Sequence, residues 1–119
     1  NRKKSIKLLG TGRAKRDFLF VDDLTNFSIK YLNANLNKKL QKDFINIGSG
    51  QEISIKNLAN LISKVVGYKG KIIFDKKSPD GHLSKLLDNR FSKQLGFKVQ
   101  TKLQDGLKIA YMDFLKHYA

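Results

Sequence analysis

The chain has 119 residues, with 24 Lys plus Arg against 10 Asp plus Glu and a formal net charge of +14. That length makes one domain at most, and a 40% hydrophobic share excludes wholesale disorder. The absence of cysteine excludes a disulfide scaffold and any thiolate zinc site; it fits a reducing, cytoplasmic setting.

Ser5–Leu9, SIKLL, reads as a strand that stops at the Gly10-Thr11-Gly12 turn. Phe18–Val21, FLFV, is a β-rich run flanked by charge and predicts a second, buried strand. Asp22 stands at a helix N-cap, with Asp23 in the first turn, and Leu24, Phe27, Tyr31 and Ala34 make one apolar face. The polar stretch NANLNKKLQK ends that helix. DFINI, residues 43–47, predicts a strand stopping at Gly48-Ser49-Gly50. Ser54 is the N-cap of a second helix carrying Ile55, Leu58, Ala59, Ile62, Val65 and Val66, with Gly67 as its stop. KIIFD, residues 71–75, returns as a strand. After a loop with the only proline, Lys85-Leu86-Leu87 predicts a minimal strand. Asp88 then caps a short helix ended by Gly96. Thr101 and Gln104 have capping-box spacing before the last helix, whose interior Gly106 weakens it by about 1 kcal/mol relative to Ala. The order is that of a small mixed α/β unit with short strands and exposed sheet edges.

Chemistry-bearing constellations are sparse. His82 and His117 are isolated, and His117 in a final helical turn suits the dipole. No metal-ligand spacing, nucleophile elbow or Tyr-x-x-x-Lys pair occurs. Neither glycine turn reads as a strand-to-helix phosphate cradle. Cations are what remain. Residues 1–16 hold Arg2, Lys3, Lys4, Lys7, Arg13, Lys15 and Arg16 without an acid, which fits an anion site or a solvated basic face. Arg16 at the mouth of a strand suits a phosphate or pyrophosphate, and Lys85 sits in a similar loop position. Together they could clamp a diphosphate; ion pairing with Asp17 or Asp88 is the plain alternative.

GTGRAKRDFLFVDDL resembles a segment of the extended short-chain dehydrogenase/reductases that act on nucleotide sugars. FINIGSGQEISIKNLANLISKVVGYKGKIIFD is similar to their following strand, helix and strand. KSPDGHLSKLLDNRFSKQLGF, with the Leu103–Leu107 pattern after it, resembles one branch, the GDP-L-fucose synthases. The resemblance runs from about Ser5 to Tyr118 and implies that residues 1–119 are a C-terminal sugar-nucleotide-binding domain, a fragment of a longer enzyme. It implies that the NADP-binding Rossmann domain and all catalytic groups lie elsewhere, and that this chain alone is inactive. It implies a whole enzyme, a homodimer, that converts GDP-4-keto-6-deoxymannose to GDP-L-fucose by epimerisation and NADPH-dependent reduction. On this resemblance Arg16 contacts the diphosphate and Lys85 is the basic residue on the substrate side. Lys71 stands where an Arg reaches the nucleotide, and Leu9 where a Trp packs on substrate. Leu9 lacks the aromatic surface, Lys71 the planar fork, and Ser84 replaces the first cation of an Arg-Lys pair. Other nucleotide-sugar epimerases or dehydratases are the nearest alternative. A small basic nucleic-acid-binding module is the other, disfavoured because Phe18, Phe20, Phe27, Phe44 and Tyr111 fall on predicted core faces. No apolar run reaches the roughly 20 residues of a membrane span, so no membrane partner is expected. The opening NRKKSIK is not a signal peptide, and Asn1 in place of Met suits a piece of a longer chain.

Overall fold

A computed structural model describes residues 4–35 and 43–118. Arg2 and Lys3 of the basic run, and most of the polar stretch after the first helix, lie outside the described residues. The elements are β1 (Ser5–Leu9), β2 (Lys15–Asp17), α1 (Val21–Asn35), β3 (Glu52–Ser54), α2 (Ile55–Val65), β4 (Lys71–Asp75), α3 (Arg90–Gln94) and α4 (Leu103–Tyr118). β1 and β4 pair in parallel from Ser5↔Lys71 to Leu9↔Asp75. β2 and β3 pair antiparallel, with Lys15 opposite Ser54, Arg16 opposite Ile53 and Asp17 opposite Glu52. This is the mixed α/β class expected, in the expected order of strands and helices.

The middle strands are displaced from their sequence signals. Phe18, Leu19 and Phe20 are not a strand; they join β2 to α1, whose first residue is already Val21. The Phe20 ring instead fills the space beside Gly106 of α4. DFINI forms no strand either, and Phe44, expected in a core, is 73% exposed. The ladder falls later, at Glu52–Ser54, where β3 lies beside β2. Lys85-Leu86-Leu87 is also irregular: the Lys85 amide donates to the Glu52 carboxylate rather than to a neighbouring strand.

Helix ends follow the capping rules with two shifts. Ser54 caps α2, its hydroxyl accepting from the Asn57 amide at 3.2 Å. The two preceding amides, Ile55 and Lys56, donate to the carbonyls of Ala14 (2.9 Å) and Gly12 (3.0 Å), so a loop satisfies donors that helix starts normally leave orphaned. Asp22 is not the cap of α1, because the helix begins one residue earlier. Its neighbour Asp23 is buried and accepts from the amides of Gln100 (2.8 Å) and Thr101 (2.9 Å) and from the Thr101 hydroxyl (2.8 Å). The Thr101 hydroxyl expected to cap α4 is thus given to α1. Asn89, not Asp88, occupies the N-cap of α3, while Asp88 accepts from the Arg90 amide and pairs with its guanidinium at 2.6 Å.

Very little apolar surface is sealed. Among the described residues Ala14 and Phe97 are the buried hydrophobics, and Phe97 meets Phe27 of α1 edge-on at a ring separation of 5.3 Å. The radius of gyration is 17.7 Å. A compact chain of this length would have about 13.5 Å. The molecule is a slab 18 Å thick in its shortest direction. An open apolar groove of about 250 Å³ runs between α2 and the β1–β4 ladder, lined by Ile6, Leu8, Leu58, Ile62 and Ile72. No helix among the described residues is long and apolar enough to cross a membrane.

Gly106 gives a direct check on packing. By helix propensity alone, Gly106→Ala would gain about 1 kcal/mol. A Cβ there would stand 2.8 Å from Cδ2 of Phe20, inside contact distance, and Gly106 is buried. Gly106→Ala is therefore expected to lower, not raise, the urea midpoint; a gain in midpoint would contradict this packing.

Candidate functional site

The segment from Gly10 to Asp17 is held on three sides before any side chain is aimed. The Thr11 amide and hydroxyl both donate to the Asp80 carboxylate at 2.5 Å. The Gly12 and Ala14 carbonyls receive the start of α2, and the Lys15 amide donates to the Leu83 carbonyl at 2.7 Å. Backbone that is fixed in this way costs little further entropy when it presents a side chain to a ligand.

Arg16 is the best-oriented cation on that frame. Its Nη1 donates to the carbonyls of Lys15 (2.5 Å) and His82 (2.8 Å). A guanidinium has five N–H donors in one plane. With Nη1 engaged, the edge formed by Nε and Nη2 faces no protein acceptor among the described residues. That edge offers two parallel N–H groups, the pattern that a phosphate accepts. The plain alternative of an Arg16–Asp17 ion pair is not what forms. Asp17 turns instead to the Ser49 amide (2.9 Å), the Ser49 hydroxyl and the Gly50 amide (3.2 Å).

Lys85 belongs to the same loop. Its amide and the Ser84 hydroxyl both donate to Oε1 of Glu52, at 2.9 and 2.6 Å. Glu52 is the ladder partner of Asp17, next to Arg16. Arg16 therefore touches the loop at His82 while Lys85 leaves it three residues on, a stretch of at most about 11 Å. The Lys85 ammonium makes no ion pair among the described residues.

The other two predicted positions lie at opposite ends of the parallel ladder. Leu9 ends β1, is 73% exposed, and leads through Gly10 to Thr11 and its Asp80 clasp, so it shares the end of the molecule that carries the 80–85 loop. Lys71 begins β4, opposite Ser5. Four residues of strand put it about 13 Å from Leu9 along the ladder. Arg16, Lys85 and Leu9 are thus brought to one end; Lys71 is not. Sequence reasoning weighed Asp17 only as an ion-pair partner and gave Glu52 no role, yet these are the carboxylates that fix this arrangement. One signal was available: Glu52 is the single glutamate in a strongly basic chain.

A dinucleotide such as NADP does not fit the glycine turns. Gly12 has φ of +77°, and a Cβ there would meet the Phe74 ring at 2.6 Å, so close packing explains the glycine. The turn leads into β2, not a helix, and the Ser49 and Gly50 amides of the second turn are taken by Asp17. The first amides of α2 are also occupied, which closes that helix start to a phosphate. No group of three or more His, Cys, Asp or Glu residues that could hold a metal occurs among the described residues. His117 bonds within its own helix, to the Asp113 carbonyl at 3.0 Å.

Residues 1–48 match a model of the NAD dependent epimerase/dehydratase family. GDP-L-fucose synthase 1 of Arabidopsis thaliana is 38% identical over 117 residues, covering 98% of this chain and 35% of that protein. GDP-L-fucose synthase of Escherichia coli K12 is 39% identical over 117 residues, covering 94% of this chain and 36% of the relative. The chain is similar in sequence to these GDP-L-fucose synthases. It spans about a third of their length. Among solved structures, a GDP-mannoheptose C4 reductase from Campylobacter jejuni with NADP bound superposes with a TM-score of 0.78 at 31% identity, over 94% of this chain and 35% of that one.

The carboxylate clasps set the acid sensitivity of the chain. Burial alone would raise the Asp23 pKa, but the Thr101 and Gln100 amides and the Thr101 hydroxyl together hold it below the ordinary value of 3.8. The Lys7 ammonium, 2.7 Å away, does the same for Asp75, and the Thr11 hydroxyl and amide for Asp80. All three are depressed, so each contributes stability that is fully present above the unfolded value and lost as pH falls through the lower folded value. Thermal midpoints are expected to be level near neutrality and to drop below about pH 4. Asp23→Asn should flatten part of that drop; an unchanged acid profile in the variant would remove Asp23 from the account.

Proposed function

We propose that this chain is the sugar-nucleotide-binding part of a GDP-sugar epimerase/reductase of the GDP-L-fucose synthase kind. Arg16 and Lys85 grip the diphosphate, Leu9 borders the sugar, and Lys71, at the far end of the ladder, serves the nucleoside end of the ligand. The observation that carries this reading is the unengaged Nε–Nη2 edge of Arg16, fixed by the His82 carbonyl beside the loop that bears Lys85. Its mechanism is positioning. Cations hold the substrate by its non-reacting diphosphate, so that binding energy there orients the keto sugar against groups supplied by other polypeptide.

The thin, open shape supports the second half of the proposal. Leu9, Val21, Ile29, Leu32, Met112 and Phe114 are all more than half exposed, an amount of bare apolar side chain that favours coverage by further protein. The partner we assign is an NADP-binding Rossmann domain of the same enzyme. It would supply the nicotinamide and the proton-transfer groups for converting GDP-4-keto-6-deoxymannose to GDP-L-fucose, and the whole enzyme would pair as a homodimer. Residues 1–119 alone are expected to bind and not to turn over. In keeping with that, the chain's own glycine turns are engaged in packing and in the Asp17 clasp.

Calorimetric titration of the 119-residue protein with GDP, with UDP and with a random DNA duplex tests this. GDP should bind best, with a salt dependence shallower than that of the duplex. Arg16→Ala should weaken GDP by about 10- to 100-fold, the worth of a charge-assisted contact, and Arg16→Lys should recover only part because it lacks the fork. Equal affinity of Arg16→Ala and the parent for GDP would contradict the assignment. Preference for the duplex over GDP would favour the nucleic-acid reading, and preference for UDP another nucleotide-sugar enzyme.

A further inference from the structure

Asp17 and Glu52 stand directly opposite one another in the β2–β3 ladder. Like charges in that relation are normally destabilising. The register survives because each carboxylate is filled by donors from elsewhere: Asp17 by Ser49 and Gly50, Glu52 by Ser84 and Lys85. For an anion site, a carboxylate one ladder position from Arg16, and bonded to the Lys85 amide, adds adverse negative charge. Its presence there calls for a compensating role, and the hydrogen bonds define one. The 80–85 loop is tied down in steps. Asp80 is held by Thr11, His82 by Arg16 and Leu83 by the Lys15 amide. Beyond Leu83, the contacts that hold Ser84 and Lys85 are those to Oε1 of Glu52.

We propose that Glu52 is a positioning residue for the sugar-nucleotide diphosphate: by taking both the Ser84 hydroxyl and the Lys85 amide on one oxygen, it docks the loop so that Lys85 and Arg16 address the same ligand. This rests on the reading of Arg16 and Lys85 as the diphosphate grip. Both donors use the same oxygen, so an amide carbonyl can replace it, and the negative charge is not what the role requires. The role of Glu52 and simple electrostatics therefore predict opposite signs. If the carboxylate merely repelled the anion, its removal would tighten binding. If it positions Lys85, its truncation loosens binding although a negative charge has gone.

The test uses the 119-residue protein with GDP as probe, comparing the parent, Glu52→Ala and Glu52→Gln by titration and by amide hydrogen exchange. Glu52→Ala should speed exchange at the Lys85 amide and weaken GDP by about 10-fold, with the α2 amides still protected. Glu52→Gln should stay within about 3-fold of the parent in both, or bind GDP more tightly, because its carbonyl still accepts and the charge is gone. Unchanged Lys85 exchange in Glu52→Ala, or GDP bound as tightly as by the parent, would overturn the proposal. If Glu52→Ala loses α2 protection, Ser84→Ala replaces it; deleting one of the two donors should weaken GDP by about 3-fold, and no weakening overturns the proposal. A parent chain that takes up no GDP, with Lys85 exchange still released by Glu52→Ala, overturns the diphosphate reading and not the docking of the loop.

Discussion

Carboxylates accepting from backbone amides hold this molecule together. Asp17 takes the amides of Ser49 and Gly50, Asp23 those of Gln100 and Thr101, Asp80 that of Thr11, and Glu52 that of Lys85 together with the Ser84 hydroxyl. In each case the partner lies at least 32 residues away in the chain. An amide-to-carboxylate bond is charge-assisted and stronger than a neutral one. Such bonds matter more here than in a sealed globule, because only Ala14 and Phe97 are buried hydrophobics among the described residues. Four of the ten acids in a chain of net charge +14 are spent in this way. Few acids remain to pair with the 24 Lys and Arg, and neither Arg16 nor Lys85 makes an ion pair among the described residues.

The same constraint links fold to site. Arg16 is aimed because the loop it crosses is fixed by Thr11–Asp80 below it and by Lys15–Leu83 beside it. Lys85 is placed because Glu52 holds its amide. Without those anchors, the two side chains would be ordinary flexible surface cations, and gathering them around one ligand would cost the rotamer freedom of both together with that of the loop. With them, most of that ordering is already built into the protein.

Much of this was legible in the residues. β1, β4 and α2 begin and end within a residue of their sequence signals, because each signal was local: an apolar run against a glycine, or Ser54 before an amphipathic repeat. The middle of the chain was not legible in that way. FLFV and DFINI have strand composition, yet a strand needs a neighbour, and the neighbour that β2 finds is Glu52–Ser54. Asp22 and Thr101 matched capping patterns, but the observed bonds run between α1 and the start of α4, a relation that no window of sequence contains. The candidate site divides along the same line. Arg16 and Lys85 stood out by residue type and loop position, and their attachment to one loop was beyond sequence reasoning. The clasps of Glu52 and Asp17 were not foreseen, Asp17 having been weighed only as an ion-pair partner, because a clasp is defined by its distant partner.

The most direct test of the account is where the phosphorus atoms of GDP lie in a crystal of the chain grown with the nucleotide. The account predicts phosphate oxygens at about 2.7–2.9 Å from Nε and Nη2 of Arg16, with the Lys85 ammonium on the same diphosphate. A diphosphate bound away from the 80–85 loop, or Arg16 left in contact with His82 alone while GDP sits elsewhere, would contradict it.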